Sequence, residues 1–393
     1  NDWENTPIRI TNTEAGDFLR SRIEHARSLL EQGDIPFYYT SQNMKDEILP
    51  EEKVADGKIR LFNAVDLEAN ILCRELFGAF TDAMYHNMDK ISCKVGINAF
   101  GYHWTELKNY IGAFGNKVIA GDYSKFDGQL DPELMEDVAD EINHWYLNHG
   151  DSRGENAIAR KTLIKSFIHS NLVVENLLYK KHQGIPSGIA ITVQLNSLVN
   201  KMYLTIALYN LSKRAGIILE PAELNRLTRM AIYGDDFILA LSPELDGVAD
   251  FCKLRDFFAD YKMKITPDNK DGSDYAFKNL LNDVTFLKRR FVAHERITNR
   301  ILAPLEERSI GGTFNWMKKR PYSEHSAGAR ENCETALREY FMFGKQRYNI
   351  MLSKVNEVFR KKWMETNDDN YKEFVPCYEQ LEQKWLSEAF SSC

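Results

Sequence analysis

Apolar positions recur at helical spacing over residues 14–32, and Gly33 followed by Pro36 ends the pattern. The same spacing returns over 67–84 and over 132–145, the second with acids in its first turn, where they complement the helix dipole. Shorter apolar runs predict strands. One covers 118–122 and closes on a carboxylate; another covers 172–179. Two more lie within 230–240, on either side of Gly234-Asp235-Asp236, whose residues suit a hairpin turn, and a further strand pair is expected around 284–292. A Gly- and Pro-containing loop at 184–188 precedes a long helix over 190–215. The last hundred residues are mainly amphipathic helix, as over 332–343 and 346–366. Helices and strands mix without regular alternation, which predicts an α+β fold rather than a doubly wound sheet.

Composition narrows this picture only a little. A chain of 393 residues has room for more than one compact unit, and 44% hydrophobic with 27% charged residues is ordinary globular usage. No apolar run nears the roughly 18 residues of a membrane span, and the first ten residues lack the layout of a secretory signal. Six cysteines with no CxxC pair argue against a zinc ribbon or a disulfide framework. The net charge of −7 opposes nucleic-acid binding unless basic residues are gathered locally. Such clusters exist at Lys53, Lys58 and Arg60, at 288–290, at 318–320 and at 360–362. Taken singly, each reads first as a solvated face.

Two segments place carboxylates where an apolar strand stops. One runs Val118-Ile119-Ala120-Gly121-Asp122-Tyr123-Ser124-Lys125-Phe126-Asp127; the other runs Ala231-Ile232-Tyr233-Gly234-Asp235-Asp236-Phe237. If the strands are neighbours, Asp122 and Asp235 face one cleft, and a cation relieves their repulsion. Oxygen-only ligands favour Mg²⁺ or Mn²⁺ over zinc, and two such ions suit an in-line phosphoryl displacement. The plainer reading of Gly-Asp-Asp alone is turn chemistry. A calcium loop at Asp122 fails, because Phe126 occupies the fifth ligand position. With no GxxxxGK[ST] run in the sequence, triphosphate charge must be neutralised by something other than a P-loop.

In order and spacing, these segments resemble the motifs of viral RNA-directed RNA polymerases of the picorna-like group, from Lys45 to about Val292. The first palm motif is similar to Asp122–Asp127, which implies metal binding by Asp122 and ribose recognition by Asp127. The second is similar to Gly184-Ile185-Pro186-Ser187-Gly188 with Thr192 and Asn196. Its glycines, Gly184 and Gly188, would let the loop approach template and nucleotide closely. Ser187, Thr192 and Asn196 would hydrogen-bond towards the ribose, although Ser187 could instead cap the following helix. The third is similar to Tyr233–Asp236, with Asp235 a metal ligand and Asp236 assisting. Thr266-Pro267-Asp268-Asn269-Lys270 resembles the fourth, and its Lys270 is similar to the proposed general acid for pyrophosphate. Phe286-Leu287-Lys288-Arg289-Arg290 looks like the strand that grips the primer end, with Lys288 and Arg289 reaching RNA.

Upstream, Lys45-Asp46-Glu47 and Lys53–Arg60 resemble the basic fingers motif. Lys53, Lys58 and Arg60 would contact triphosphate and Lys45 would contact RNA. The sequence departs from the pattern at Leu49-Pro50, where relatives usually carry arginine. The stretch before Lys45 is also short for this family, so the resemblance implies that an outer amino-terminal fingers segment is missing.

The resemblance implies a right-hand architecture, with an antiparallel palm sheet flanked by helices. Fingers would comprise residues 1–84 and 132–184, palm 85–131 and 185–294, and a helical thumb 295–393. It implies two Mg²⁺ or Mn²⁺ ions, RNA template and primer, and ribonucleoside triphosphates. It further implies a genome-linked protein primer and other viral replication proteins as partners, at membrane-associated replication complexes in host cytoplasm. A reverse transcriptase would share the palm carboxylates, but Asp127 and Asn196 favour a ribonucleotide. An RNA-binding protein with a decayed palm would not need Asp122, Asp235, Asp236 and Lys270 together.

Overall fold

The computed structural model describes residues 13–268 and 275–390, apart from 48, 50, 318 and 375, with side chains to 387. The first expected helix is Glu14–Gln32. The Thr13 hydroxyl accepts from Gly16 N at its start, and Gly33 closes it in the left-handed conformation, donating to the Leu29 and Leu30 carbonyls. Strands β1 (Tyr39–Met44) and β2 (Leu61–Val65) lead into the helix Leu67–His86. Strand β3 (Lys117–Tyr123) ends in the expected carboxylate segment. The helix Pro132–Asn148 starts on Asp131, whose carboxylate accepts from the Glu133 and Leu134 amides, with proline at the first helical position.

The run expected as one strand at 172–179 is a hairpin instead, β4 (Asn171–Val174) and β5 (Leu177–Lys180). Glu175, at φ 53°, and Asn176 make the turn, a polar pair between two strand-forming runs. The long helix is Thr192–Arg214. Strands β6 (Thr228–Tyr233) and β7 (Asp236–Leu241) form the expected hairpin around Gly234–Asp235. After β8 (Ile265–Pro267) and β9 (Lys278–Asn279), the pair expected at 284–292 is shorter, β10 (Thr285–Phe286) with β11 (Arg289–Arg290). Val292 belongs to a separate pairing with Leu302. The helices His325–Phe341 and Lys345–Thr366 follow.

Two compact units result. The first comprises Asn1–Val95, Tyr123–Ile206 and Ile232–Asp235; the second comprises Gly96–Asp122, Ala207–Ala231 and Asp236–Cys393. In the first, the sheet order is β2-β1-β4-β5, with β1 antiparallel to β2 and parallel to β4. The helices Leu67–His86, Pro132–Asn148 and Ala157–Ile168 bury Leu72, Phe77, Ile142 and Phe167. A buried guanidinium ties them together. Arg160 donates to Leu76 O at 3.0 Å, Asn143 Oδ1 at 2.9 Å and Asp151 Oδ2 at 2.7 Å, and lies 3.6 Å from the centre of the Tyr146 ring. A buried charge is tolerated only with such a full set of partners.

In the second unit the sheet order is β6-β7-β3-β8, with β9 also on β3. Val118–Gly121 run antiparallel to Phe237–Ala240, and Val118, Ile119, Phe237, Ile238 and Leu239 are wholly buried. The near-continuous apolar runs of the sequence reflect this two-sided burial. A separate core joins the carboxy-terminal helices through Leu337, Tyr340, Phe341, Tyr348, Phe359 and Trp385.

Replacing Arg160 with Ala removes the cation paired with Asp151 and the donor to two buried acceptors, and is expected to lower unfolding stability by about 3–5 kcal/mol. Burial pushes the Asp151 carboxyl up, but its bond to Arg160 and the Asn156 and Glu155 amides outweigh this and hold it below the usual carboxylate range. Its contribution is therefore present above the unfolded value of about 3.9 and lost as pH falls through the lower folded value. Denaturant unfolding of wild type and Arg160→Ala between pH 7 and pH 2 checks both points; the difference should shrink at the acid end.

Candidate active site

Five of the expected residues meet in one pocket of the first unit. Asp127, Ser187, Thr192, Asn196 and Asp235 line an open cavity of about 360 Å³ together with Gly234. Three separate segments deliver them, and the loop at 184–188 joins two of these. Ile185 N donates to Asp127 O at 2.9 Å, and Gly184 N donates to Leu130 O at 3.1 Å. A Cβ on Gly184 would lie 2.3 Å from Asp127 O, and one on Gly188 would lie 2.3 Å from Asn63 O on β2. Both glycines are thus required by the protein's own backbone. The close approach that these glycines make in this structure is to Asp127 and Asn63.

The hydroxyls of the loop do similar work. Ser187 Oγ accepts from Asn63 N at 3.1 Å, so it secures β2 and does not cap the following helix. Thr192 Oγ1, in the first turn of the helix, reaches back to the carbonyls of Ile189 at 2.8 Å and of Ser187 in the loop at 3.1 Å. Asn196 faces the pocket, and its amide nitrogen donates to Asp127 Oδ1. Its oxygen is buried without a hydrogen-bond partner among the described residues, an acceptor that costs free energy until something donates to it.

Two residues that sequence reasoning missed fix the turn before Asp235. Ser197 Oγ accepts from Gly234 N at 2.8 Å, and Asn200 Nδ2 donates to Gly234 O at 2.9 Å, both buried. For Asn200 the available signal was its place after Thr192 and Asn196 at four-residue intervals, which sets polar groups along one face of a helix. Lys181 was also missed. Burial holds its ammonium below the usual lysine value, opposed by the charge of Asp127.

In the second unit, the β3–β7 register continued by one residue beyond Gly121–Phe237 sets Asp122 opposite Asp236, and both are half-buried. Directly opposite residues on antiparallel strands project from the same face. The neighbour of β3 is therefore the strand that begins with Asp236. Asp235 lies in the preceding turn, in the first unit. Asp236 Oδ2 accepts from Leu287 N at 2.6 Å. The half-buried carboxylates suit a hard divalent cation by donor type. Among the described residues, no three His, Cys, Asp or Glu side chains form a ready ligand set.

Comparison with known proteins is decisive at the level of family. Residues 8–356 match the family described as viral RNA-dependent RNA polymerase. The chain belongs to that family. The RNA1 polyprotein of Grapevine chrome mosaic virus is 32% identical over 289 residues, covering 72% of this chain and 12% of the polyprotein. That of Tomato torrado virus is 30% identical over 374 residues, covering 91% of this chain and 16% of the polyprotein. The chain thus spans a small part of the curated relatives it matches. The solved structure of the Sicinivirus 3Dpol RNA dependent RNA polymerase superposes with a TM-score of 0.76 at 22% identity, covering 97% of this chain and 74% of that one. This likeness shows the α+β polymerase fold, and the matches together set the chain in the picorna-like group.

Other residues expected to act in this member of the family are placed less uniformly. Lys58 is exposed and paired with Asp56 at 2.8 Å, and Arg60 is exposed and paired with Glu47 at 3.4 Å. Lys53 is exposed on the short helix Glu51–Ala55. Lys45 lines a second pocket of the first unit with Glu47, Val54 and Ile59. Lys288 is exposed at the β10–β11 turn. Arg289, expected to reach RNA, is instead largely buried and makes a two-pronged bond to Glu339 at 2.7 and 2.8 Å. A guanidinium matches a carboxylate fork, and fifty residues of separation hid the partner from sequence reading. Lys270 lies outside the described residues.

Asn200→Ala should cost about 1–3 kcal/mol by stranding the Gly234 carbonyl. Gly188→Ala should cost at least as much, because Asn63 O is backbone and cannot swing away from the added methyl. Denaturant midpoints of the two variants check this; an unchanged midpoint for Gly188→Ala would contradict the loop geometry.

Proposed function

We propose that the chain is the catalytic core of an RNA-directed RNA polymerase that replicates a positive-strand RNA genome. It extends an RNA 3′ end with ribonucleotides and releases pyrophosphate. The observation that carries this reading is the single pocket holding Asp127, Ser187, Thr192, Asn196 and Asp235, in a chain of this family. Within it, the unpartnered Asn196 oxygen and the Asp127 carboxylate accept from ribose hydroxyls, and the 2′-hydroxyl separates RNA from DNA substrates. Ser187 and Thr192 hold the loop that keeps Asp127 in place.

Asp122, Asp235 and Asp236 are the residues that would hold two Mg²⁺ or Mn²⁺ ions, which when bound activate the attacking 3′-hydroxyl and neutralise the departing pyrophosphate. Lys53, Lys58 and Arg60 neutralise the triphosphate. The exposed pairs of Lys58 with Asp56 and Arg60 with Glu47 are worth only about 0–1 kcal/mol each, so phosphate replaces those carboxylates at little cost. Lys45 and Lys288 contact RNA, and Lys270 is the proposed proton donor to pyrophosphate. The fingers, palm and thumb divisions, and replication proteins with a genome-linked primer as partners, belong to the same proposal.

Primer extension on a short RNA template, with ribonucleotides and Mg²⁺, tests the reading. Wild type should extend the primer only with Mg²⁺. Asp235→Asn should fall by about a thousandfold or more while binding RNA with similar affinity, because the basic residues remain. RNA binding without extension by the wild type would overturn the proposal in favour of an RNA-binding protein.

A further inference from the structure

The β10–β11 hairpin turns through Leu287 and Lys288, at φ 53° and 59°. This is the two-residue turn for which Asn-Gly is the usual sequence, here built from two residues with full side chains in the left-handed region. Such a turn persists only where its surroundings over-determine it. Its base is well fixed. Phe286 is wholly buried, Arg289 is forked onto Glu339, and Lys288 O accepts from Glu306 N at 2.9 Å.

The outer edge of β10 is held differently. Thr285 and Leu287 are two apart, so their N–H groups leave the same side of the strand. Both end on carboxylates: Thr285 N donates to Asp268 Oδ2 and Leu287 N to Asp236 Oδ2, each at 2.6 Å. Asp268 is buried and paired with Lys278, which makes it a structural anchor. Asp236 is half-buried at the start of β7, and the bond it accepts comes from the first residue of the strained turn.

We propose that Asp236 is a positioning residue for the RNA 3′ end. Its carboxylate docks the Leu287–Lys288 turn and so aims the exposed Lys288 at the primer, whatever its share in metal binding. This rests on the polymerase reading above and adds a role that needs no metal. The geometry requires an acceptor at this position rather than a negative charge, so the two roles respond differently to substitution.

The test measures how long the protein stays on an RNA duplex with a recessed 3′ end, in EDTA and at fixed salt, with unfolding midpoints confirming the fold of each variant. Asp236→Ala should dissociate about tenfold faster than wild type. Asp236→Asn, whose amide oxygen still accepts, should stay within about twofold. Leu287→Asn, which favours the left-handed turn, should match or exceed the wild-type lifetime alone. In the Asp236→Ala background it should recover part of the lifetime without recovering Mg²⁺-dependent extension. Equal lifetimes for wild type, Asp236→Ala and Asp236→Asn would overturn the inference and leave Asp236 to the chemistry alone. A shortened lifetime for Leu287→Asn by itself would also overturn it. If the wild type stays no longer on a recessed 3′ end than on a blunt duplex, the polymerase reading falls, and this inference with it.

Discussion

The backbone approach of the loop at 184–188 to Asp127 and Asn63 is the contact on which the pocket depends. At both Gly184 and Gly188 an added Cβ would fall 2.3 Å from a carbonyl oxygen, a distance no real Cβ tolerates. Because the neighbours are main chain, neither can rotate aside. The loop therefore has few alternative positions, and the segments it touches are fixed with it. Asp127 is presented to Asn196, β2 is held through Ser187, and Thr192 secures the loop from the first turn of the helix. Rigidity of this kind is what the proposed ribose recognition needs, since hydrogen bonds discriminate only if their positions are preset.

Several carboxylates in this protein hold the chain itself in place. Asp131 caps a helix, Asp268 and Asp236 hold the edge of β10, and Asp151 closes the partner set of a buried arginine. Each stabilises a polar group that would otherwise lack a partner. A net charge of −7 belongs to the whole chain and does not describe a local surface, where Lys53, Lys58, Arg60 and Lys288 stay exposed.

What could be read in the sequence was whatever local chemistry dictates. The helix Glu14–Gln32 with its Gly33 stop, strand β3 and the Gly234–Asp235 hairpin all carry their signals within a few residues. The five pocket residues were also legible, because their motifs come in a fixed order and spacing. What was hidden depends on partners distant in sequence. Nothing near Arg289 announces Glu339, and nothing near Arg160 announces Leu76 or Asn143. The glycines of the loop were recognised as necessary, but what they must clear, Asp127 and Asn63, is visible only in the fold. The β4–β5 hairpin reads in the sequence as one strand because its turn, Glu175–Asn176, holds no glycine.

Asp127 and Asn196 line one pocket, and the proposed selection of a ribose rests on them. The most direct measurement is the ratio of kcat/KM for a ribonucleotide over its deoxy counterpart, in wild type and in Asn196→Ala. Loss of the preset acceptor should lower that ratio by about tenfold or more. A ratio unchanged by the substitution, in a variant that still extends primers, would contradict the assignment of this pocket.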